Sequence, residues 1–543
     1  MNIVPDPLSG GSRLAQAYIH RYDSVSGFYG EDYRSSDGYE RRAAWLDQSE
    51  AKRISRAAVV DCLRTYNHKF NAHPAVDKAL DALGQPETLA IVGGQQSGLL
   101  TGPILVIYKA VTIIQAASDA AKRLNRPVVP VFWIAGEDHD WDEVNHAYFP
   151  TRDLDIAKIK LDPREKLRTS VSYTEVNEEE WELQLQGLRE LLPDSPSKAE
   201  LLELARTAFS GSRNLSEGFA KLLGAMFGKH GLILLDSADP NLRALEVPVF
   251  EAIINNNEAL GLSYQQMARD IEGAGFEVQA DVPENGANLF YLHEGMRLLL
   301  YREGDRFVDR KGWIQLSRDE LLRELHEHPA RFSNNVLTRP LMQDSLLPVL
   351  GTVLGMGEIS YWAITRGAFA EMGLQMPLIL PRMSFTLLDD TVHKHMDKYA
   401  LSFQDVQHHL EEKRQAWLDS QDELNLEERF GQTKAAFEQL YQPLIEDLGK
   451  LQSGLVKLGS TNKDKILKQM DYLLRKSQEA LEQQHEAALR QWQAIGQSLM
   501  PLGRPQERVY NIFHYMNRYG MDLIDRLMEI PYEASGTHRL IHV

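Results

Sequence analysis

Residues 132–144 read FWIAGEDHDWDEV, so Glu137, Asp138, His139, Asp140, Asp142 and Glu143 crowd directly behind a glycine and an apolar run. Carboxylates and an imidazole this close can wall a pocket for an ammonium group or sugar hydroxyls. They can also bind a metal through His139, neighbouring carboxylates and His146, or form a charged first turn that the helix dipole favours. An imidazole titrates near working pH, which suits His139 to general-base work while Asp138 orients an incoming amine. A second stretch, GGQQSGLLTGP (93–103), offers Gly93, Gly94, Gln95, Gln96 and Gly98 to a ligand. Its glycines let backbone come close, and a following helix N-terminus favours an anion. It matches neither the dinucleotide fingerprint nor the phosphate loop with its lysine, and a tight turn accounts for it equally. The third stretch runs from HPARFSNNVLTRP to GMGEISYW (328–362). Asn334, Asn335, Thr338 and Arg339 are spaced to hydrogen-bond a polar ligand, and Arg339 can clamp a carboxylate with two parallel N–H groups. Glu358 and Tyr361 follow a glycine-rich turn near a helix start. Each residue alone could be a cap or turn former; three such clusters at strand and helix ends favour one shared pocket.

The elements that must position them follow from the apolar pattern. LAIV (89–92) reads as a short strand ending at Gly93 and Gly94, followed by a helix from about Pro103 and a second strand, VVPVFWIAG (128–136). This βαβ unit implies a parallel sheet with a right-handed crossover. Further strands are expected at GLILLDSADP (231–240), after a helical stretch 197–229, and at PLILPRMSF (377–385). Residues 287–312 alternate and turn like a small antiparallel insertion. The fold class expected for residues 1–387 is therefore α/β, an open parallel sheet with insertions, whose ligands bind beyond the strands' carboxyl ends. Residues 37–85 read as helical, and Cys62 on their apolar stripe reads as a core thiol. From 388 to 503 the pattern is amphipathic: Phe437, Leu440, Leu444, Leu448, Leu451, Leu455 and Leu458, then, after GSTNKD, Ile466 to Leu499 at helical steps. That predicts an antiparallel coiled coil roughly 40 Å long, locally weakened at Pro443, with His485 as a structural residue on its seam. The aromatic tail 504–543 should return to the core.

At 543 residues the chain exceeds what a single core comfortably holds. Its net charge of −18 removes the basic excess that generic nucleic-acid binding needs. One cysteine excludes an intrachain disulfide framework and a multi-cysteine zinc site. There is no basic-then-apolar leader pattern and no apolar run near the ~20 residues that span a bilayer, so the chain reads as soluble and cytoplasmic, with no nucleic-acid or membrane partner.

IVGGQQSGLLTGP, PVFWIAGEDHDWDEVN, HPARFSNNVLTRPLMQ, GMGEISYW and RVYNIFHYMNRYG resemble, in the same order and over nearly the whole chain, the signature runs of the bacillithiol biosynthesis cysteine-adding enzyme family. The resemblance implies a ligase joining L-cysteine to the amino group of glucosaminyl malate to form bacillithiol. It also implies a Rossmann-like core, a coiled coil, a homodimer and a fold relation to class I aminoacyl-tRNA synthetases. Where those synthetases carry a histidine motif and a lysine loop, this chain has Thr101-Gly102-Pro103 and Pro381-Arg382-Met383-Ser384. Amide formation from a free carboxylate is uphill in water, so ATP is the expected activating group, with Mg2+ only as its counter-ion and no resident metal. On this reading Gly93, Gly94, Gln95, Gln96, Gly98 and Glu137 surround a ligand, Asp138 and His139 orient the amine, and Asn335 and Arg339 hold the malate carboxylates. Two other classes stay open: a metal-dependent hydrolase or deacetylase acting on a sugar conjugate through His139, and a nucleotide-binding scaffold with a coiled-coil partner surface.

Overall fold

A computed structural model describes residues 2–6, 11–164 and 168–543. The chain forms two compact units. One comprises residues 1–151, 156–387 and 507–543; the other comprises 152–155 and 388–506.

The first unit is built on five parallel strands: β1 (Leu89–Gln95), β2 (Val128–Ile134), β3 (Ile233–Asp236), β4 (Val349–Leu354) and β5 (Leu378–Pro381). Their spatial order is β5-β4-β1-β2-β3. The strands are near-continuous apolar runs because helices cover the sheet's faces; Ile91, Val131, Leu234, Val353 and Leu380 are fully buried. The order reverses between β1 and β4, which opens a crevice beyond their carboxyl ends.

Three strands differ from the sequence reading. β1 does not stop at Val92: Gly93, Gly94 and Gln95 pair in register with Phe132, Trp133 and Ile134. A Cβ on Gly94 would lie 2.6 Å from the Trp133 carbonyl oxygen, so strand packing by itself requires glycine here. β4 lies between β5 and β1, inside the stretch read only as ligand-rich; Gly351 and Thr352 dilute its apolar signature, although all six of its residues are buried. The expected strand 377–385 divides in two. Ser384–Leu388 leaves the parallel sheet and joins a second one with His538–His542 and Asn2–Asp6. The region 37–85 folds as helices Ser36–Gln48, Arg56–Phe70 and Pro74–Leu83. Cys62 is half-buried there, and burial, with Asp239 and Glu246 nearby, pushes its thiol up to about 12, the behaviour of a core thiol. The insertion is a five-stranded sheet in which Phe332–Asn334 pairs with Leu289–Tyr291, so Asn334 is delivered by the insertion.

In the second unit, helices Leu426–Gly449 and Ser453–Gln484 form an antiparallel hairpin. The contacts Tyr441–Asn462 (2.8 Å), Lys463–Gln442 (3.1 Å) and Gln478–Glu427 (3.1 Å) all straddle a turn at 450–452. The expected turn GSTNKD (459–464) lies instead inside the second helix. Gly459 is there because a Cβ would meet the Ile445 side chain at 2.9 Å, a close approach across the seam and not a break. Pro443 sits within the first helix without ending it. The 24-residue arm spans about 36 Å at ~1.5 Å per residue. The seam runs through Phe437, Tyr441 and Ile445, whereas Leu440 and Leu451 of the expected stripe are 80% and 79% exposed. His485 stands where the second helix gives way to Glu486–Leu499, its ring edge-on to Trp417.

Ile445→Ala, which opens a cavity on the seam, is expected to cost about 2–4 kcal/mol locally, while Leu451→Ala stays within about 0.5 kcal/mol. Amide hydrogen exchange of residues 426–484 checks this, and equal effects of the two substitutions would contradict the seam assignment.

Candidate functional site

The carboxyl ends of the strands gather the residues singled out above. The centre of the edge is Lys109, on the helix Leu105–Leu124 that follows β1. This ammonium is buried and donates to the Gly94 carbonyl (2.7 Å), Gln95 Oε1 (3.1 Å) and Glu358 Oε2 (2.5 Å). Glu358 also accepts from the Gly355 amide (2.8 Å) at the start of the helix after β4. Burial alone would push its carboxyl up, but Lys109, Arg339 and the Gly355 amide overcome that and hold it below its usual range. Burial in turn lowers the Lys109 ammonium, against the pull of Glu358. Arg339 donates to the Tyr361 hydroxyl (2.7 Å) and lies 4.0 Å from Glu358. Burial pushes that phenol up to about 12, so it stays protonated.

The acidic run lies beside this centre. Gln96 donates to Asp138 (2.7 Å), and the His139 amide donates to the same carboxylate (2.9 Å). Glu137 is buried and accepts from Arg243 and from the Asn334 amide (3.2 Å). Arg243 is shared with Glu246, which burial pushes up to about 8 despite that partner. Arg297, from the insertion, donates to the Asn334 carbonyl (2.6 Å) and Ser333 Oγ (2.9 Å), and lies 3.1 Å from His139 Nδ1. Arginine only donates, so Nδ1 must be the accepting nitrogen and the neutral ring carries its proton on Nε2. Burial and Arg297 lower the His139 pKa, with Asp140 and Asp138 opposing. In this arrangement His139 offers an N–H donor to a ligand, not the open lone pair of a general base.

The three stretches therefore converge through Gln96–Asp138, Glu137–Asn334 and Lys109–Glu358. Their residues divide by task. Gln95, Gln96, Asp138, His139, Arg339, Glu358 and Tyr361 occupy the partly accessible edge. Gly93 and Gly98 are buried beneath it, and Glu137 is committed to Arg243. Asn335 is spent on structure: its carbonyl oxygen caps the Leu337 and Thr338 amides, and its amide donates to Asn288 (3.0 Å). Thr338 Oγ1 donates to the Asn288 carbonyl (2.9 Å). Asn335 and Thr338 thus shape the turn that carries Arg339. Asn334 is buried with both polar atoms of its side chain unpartnered.

Sequence reasoning missed Lys109, Arg243 and Arg297. Lys109 had a signal, as the only charged residue between Leu105 and Ser118 of an apolar helix. The arginines had none, because their partners are distant in sequence. His146 stands apart as a metal donor: its ring is edge-on to Tyr148, and burial with Lys158 and Lys160 lowers it to about 4. Among the described residues no three His, Cys, Asp or Glu side chains are grouped to hold a metal ion.

Beneath the acidic run Asp236, at the end of β3, accepts from Ser172 (2.7 Å), and Ser216 links Ser172 to Ser97 at 2.7 Å on each side. Burial pushes Asp236 up to about 6; the Ala238 amide and Ser172 oppose this, Asp239 adds to it and Arg243 opposes it.

A 3-2-1-4-5 parallel sheet with its polar residues collected at the switch point defines a Rossmann-like ligand-binding protein, here carrying a helical hairpin unit. The chain belongs to the bacillithiol biosynthesis family BshC. The model of that family's N-terminal Rossmann-like domain matches residues 1–383, and the model of its C-terminal coiled-coil domain matches 385–543. Relatives named "Putative cysteine ligase BshC" include one from Geobacillus sp. (strain WCH70), 33% identical with 100% of both chains covered. Another, from Bacillus cytotoxicus, is 34% identical with 94% of each covered, and one from Bacillus velezensis is 31% identical over 100% of both. Among solved structures, an arginyl-tRNA synthetase-like protein from Campylobacter jejuni aligns over 80% of this chain and 98% of its own at 10% identity and a TM-score of 0.20, too slight a likeness to carry an argument.

Asp236 supplies a test. Its carboxyl holds a proton more tightly in the fold, about 6, than in the unfolded chain, about 3.9. That stabilisation is complete below pH ~4 and fades as pH rises through about 6. Asp236→Asn should therefore gain stability over wild type between pH 4 and 7, by an amount on the order of 3 kcal/mol at most. Urea unfolding across that range checks it, and a constant difference between the two proteins would contradict it.

Proposed function

We propose that this chain is a carbon–nitrogen ligase that joins L-cysteine to the amine of glucosaminyl malate, forming bacillithiol. The observation that carries the reading is the convergence of three separate stretches on one sheet edge, where a carboxylate, an imidazole N–H and an arginine stand side by side. Family membership across the whole chain and relatives named as cysteine ligases support it.

The roles follow from the chemistry of each group. Asp138, steadied by Gln96 and the His139 amide, accepts hydrogen bonds from the incoming amine and aims its lone pair. His139, with Nδ1 turned to Arg297, donates from Nε2 to a substrate oxygen, where charge develops as the amide forms. Arg339, aligned by Tyr361, holds a substrate carboxylate. Cysteine supplies the carboxyl group and the acceptor supplies the amine, so no side-chain nucleophile is needed.

ATP is the activating co-substrate in this proposal, with Mg2+ only as its counter-ion. The glycine loop does not fit a polyphosphate. Leu99, Leu100 and Thr101 are buried, and Asn511 ties down the Leu100 and Gly102 carbonyls at 2.8 and 2.7 Å. Lys109 is fully engaged, and Arg382 is paired to Glu507 through two contacts of 3.0 and 2.5 Å. The loop and its neighbouring cations thus supply no phosphate cradle at the switch point.

The proposal extends to a homodimer formed through the exposed leucine face of the hairpin, and to a cytoplasmic location. Among the described residues no helix is long and apolar enough to cross a membrane.

Purified protein given glucosaminyl malate and cysteine is expected to yield bacillithiol with ATP and none without it. His139→Ala should lower turnover about 10²-fold, as loss of a donor that acts on developing charge does. Arg339→Ala should lower kcat/KM by a similar factor, with both variants still folded. A deletion strain should accumulate the precursor and lack the thiol; unchanged thiol there would overturn the assignment.

A further inference from the structure

Beside His139 a cleft of about 940 Å³ is lined by residues of the acidic turn and of the antiparallel insertion. Its floor is His139 and Arg297, the latter stacked 3.7 Å from the Phe290 ring centroid. Its lining includes Asp140, Asp142 and Glu143, of which Asp142 is paired with Lys160 at 3.5 Å, together with Arg168, Arg310 and Lys311.

These three cations run against the composition of a chain with 77 acidic and 59 basic residues. All three are exposed, and none has a carboxylate within ion-pair distance among the described residues. They are braced by other means. Arg310 lies over the Tyr301 ring (4.7 Å) and Lys311 over the Trp313 ring (4.2 Å). Aromatic faces hold such heads without consuming their capacity to bind an anion. The carbonyl of Arg168 accepts from the Arg297 amide (2.9 Å), which anchors Arg168 to the insertion. Asp309, the acid that precedes Arg310, is turned inward and is occupied by the Lys311 and Ile314 amides at 2.9 and 2.7 Å.

A cleft lined by both carboxylates and cations without carboxylate partners selects a ligand that carries an amine as well as several anionic oxygens. Its volume suits a molecule larger than an amino acid. We propose that this cleft is the acceptor subsite: Arg168, Arg310 and Lys311 bind the dicarboxylate end of glucosaminyl malate while its amine lies toward Asp138 and Asp140. Arg339, which is not among the residues lining the cleft, is then left for the carboxylate of cysteine. Asn335, saturated by its own turn, takes no part. This rests on the ligase reading above and adds to it which surface reads which substrate.

The test compares wild type, Arg168→Ala and the Arg310→Ala/Lys311→Ala double variant, with Arg310→Glu as a charge reversal on the same exposed turn. Steady-state kinetics should show KM for glucosaminyl malate rising about tenfold or more, with KM for cysteine changed by about twofold or less. Calorimetry without cysteine or nucleotide should show that wild type binds glucosaminyl malate more tightly than glucosamine and that the double variant loses this preference. Bacillithiol formation with an unchanged acceptor KM in all variants, or equal losses for both substrates, overturns the subsite while leaving the ligase reading intact. Binding of glucosaminyl malate that depends on these cations, in a protein that makes no thiol, would keep the subsite and remove the ligase reading. Wild type that does not distinguish the two ligands overturns the subsite.

Discussion

The buried ammonium of Lys109 is the interaction on which the site depends. A charge taken out of water costs several kcal/mol unless its partners are placed to receive it, so Gly94, Gln95 and Glu358 cannot be positioned independently. Gly94 and Gln95 end β1; Glu358 caps the helix that follows β4. One side chain thereby fixes the two strands that flank the switch point, and through Glu358 it sets the charge beside Arg339. The loss of either partner would leave an unpaired ion in a nearly dry crevice, which is a much larger cost than the bond itself contributes.

Further out the same logic repeats with longer reach. Glu137 and Glu246 share Arg243, Arg382 pairs with Glu507, and Arg297 holds the Asn334 carbonyl and faces His139. Each buried cation at the edge is answered by a carboxylate or a carbonyl. Among the described residues Arg168, Arg310 and Lys311, which line the cleft, stand exposed with no carboxylate at ion-pair distance. An enzyme that handles a zwitterionic acceptor needs both signs available at once, and a tightly neutralised edge keeps them from collapsing onto the wrong partner.

The parallel sheet was legible in the sequence because its strands are apolar on both faces and three of them follow helices at ordinary spacing. β4 was not, because Gly351 and Thr352 interrupt its apolar run and polar neighbours surround it. The helical hairpin was legible as a period, but its turn was not: a run of small polar residues resembles a loop, whereas Gly459 serves the packing of Ile445. In the site, residue type alone pointed to Asp138, His139 and Arg339, which stand at the carboxyl edge of the sheet. It could not separate them from Asn335 and Thr338, whose polar atoms are spent on a local turn, or from Gly93 and Gly94, which belong to a strand. Spending of hydrogen-bond capacity is a three-dimensional fact. The insertion's Arg297 illustrates the limit, since its 158-residue separation from His139 leaves no local trace.

The second sheet joins Asn2–Asp6 to His538–His542, with Asn2 opposite His542 and Ile3 opposite Ile541. These pairs join strands on either side of the whole parallel sheet and hairpin in the sequence. During synthesis the strand Asn2–Asp6 must wait, unpaired, until residues 538–542 have been made, and Arg382 likewise waits for Glu507 across the whole hairpin unit. Contacts of such high order form late and slow the final step of folding. A chain truncated within the hairpin would lack the His538–His542 partner of Asn2–Asp6 and the Glu507 partner of Arg382, leaving an open sheet edge and an unpaired arginine exposed to misassembly.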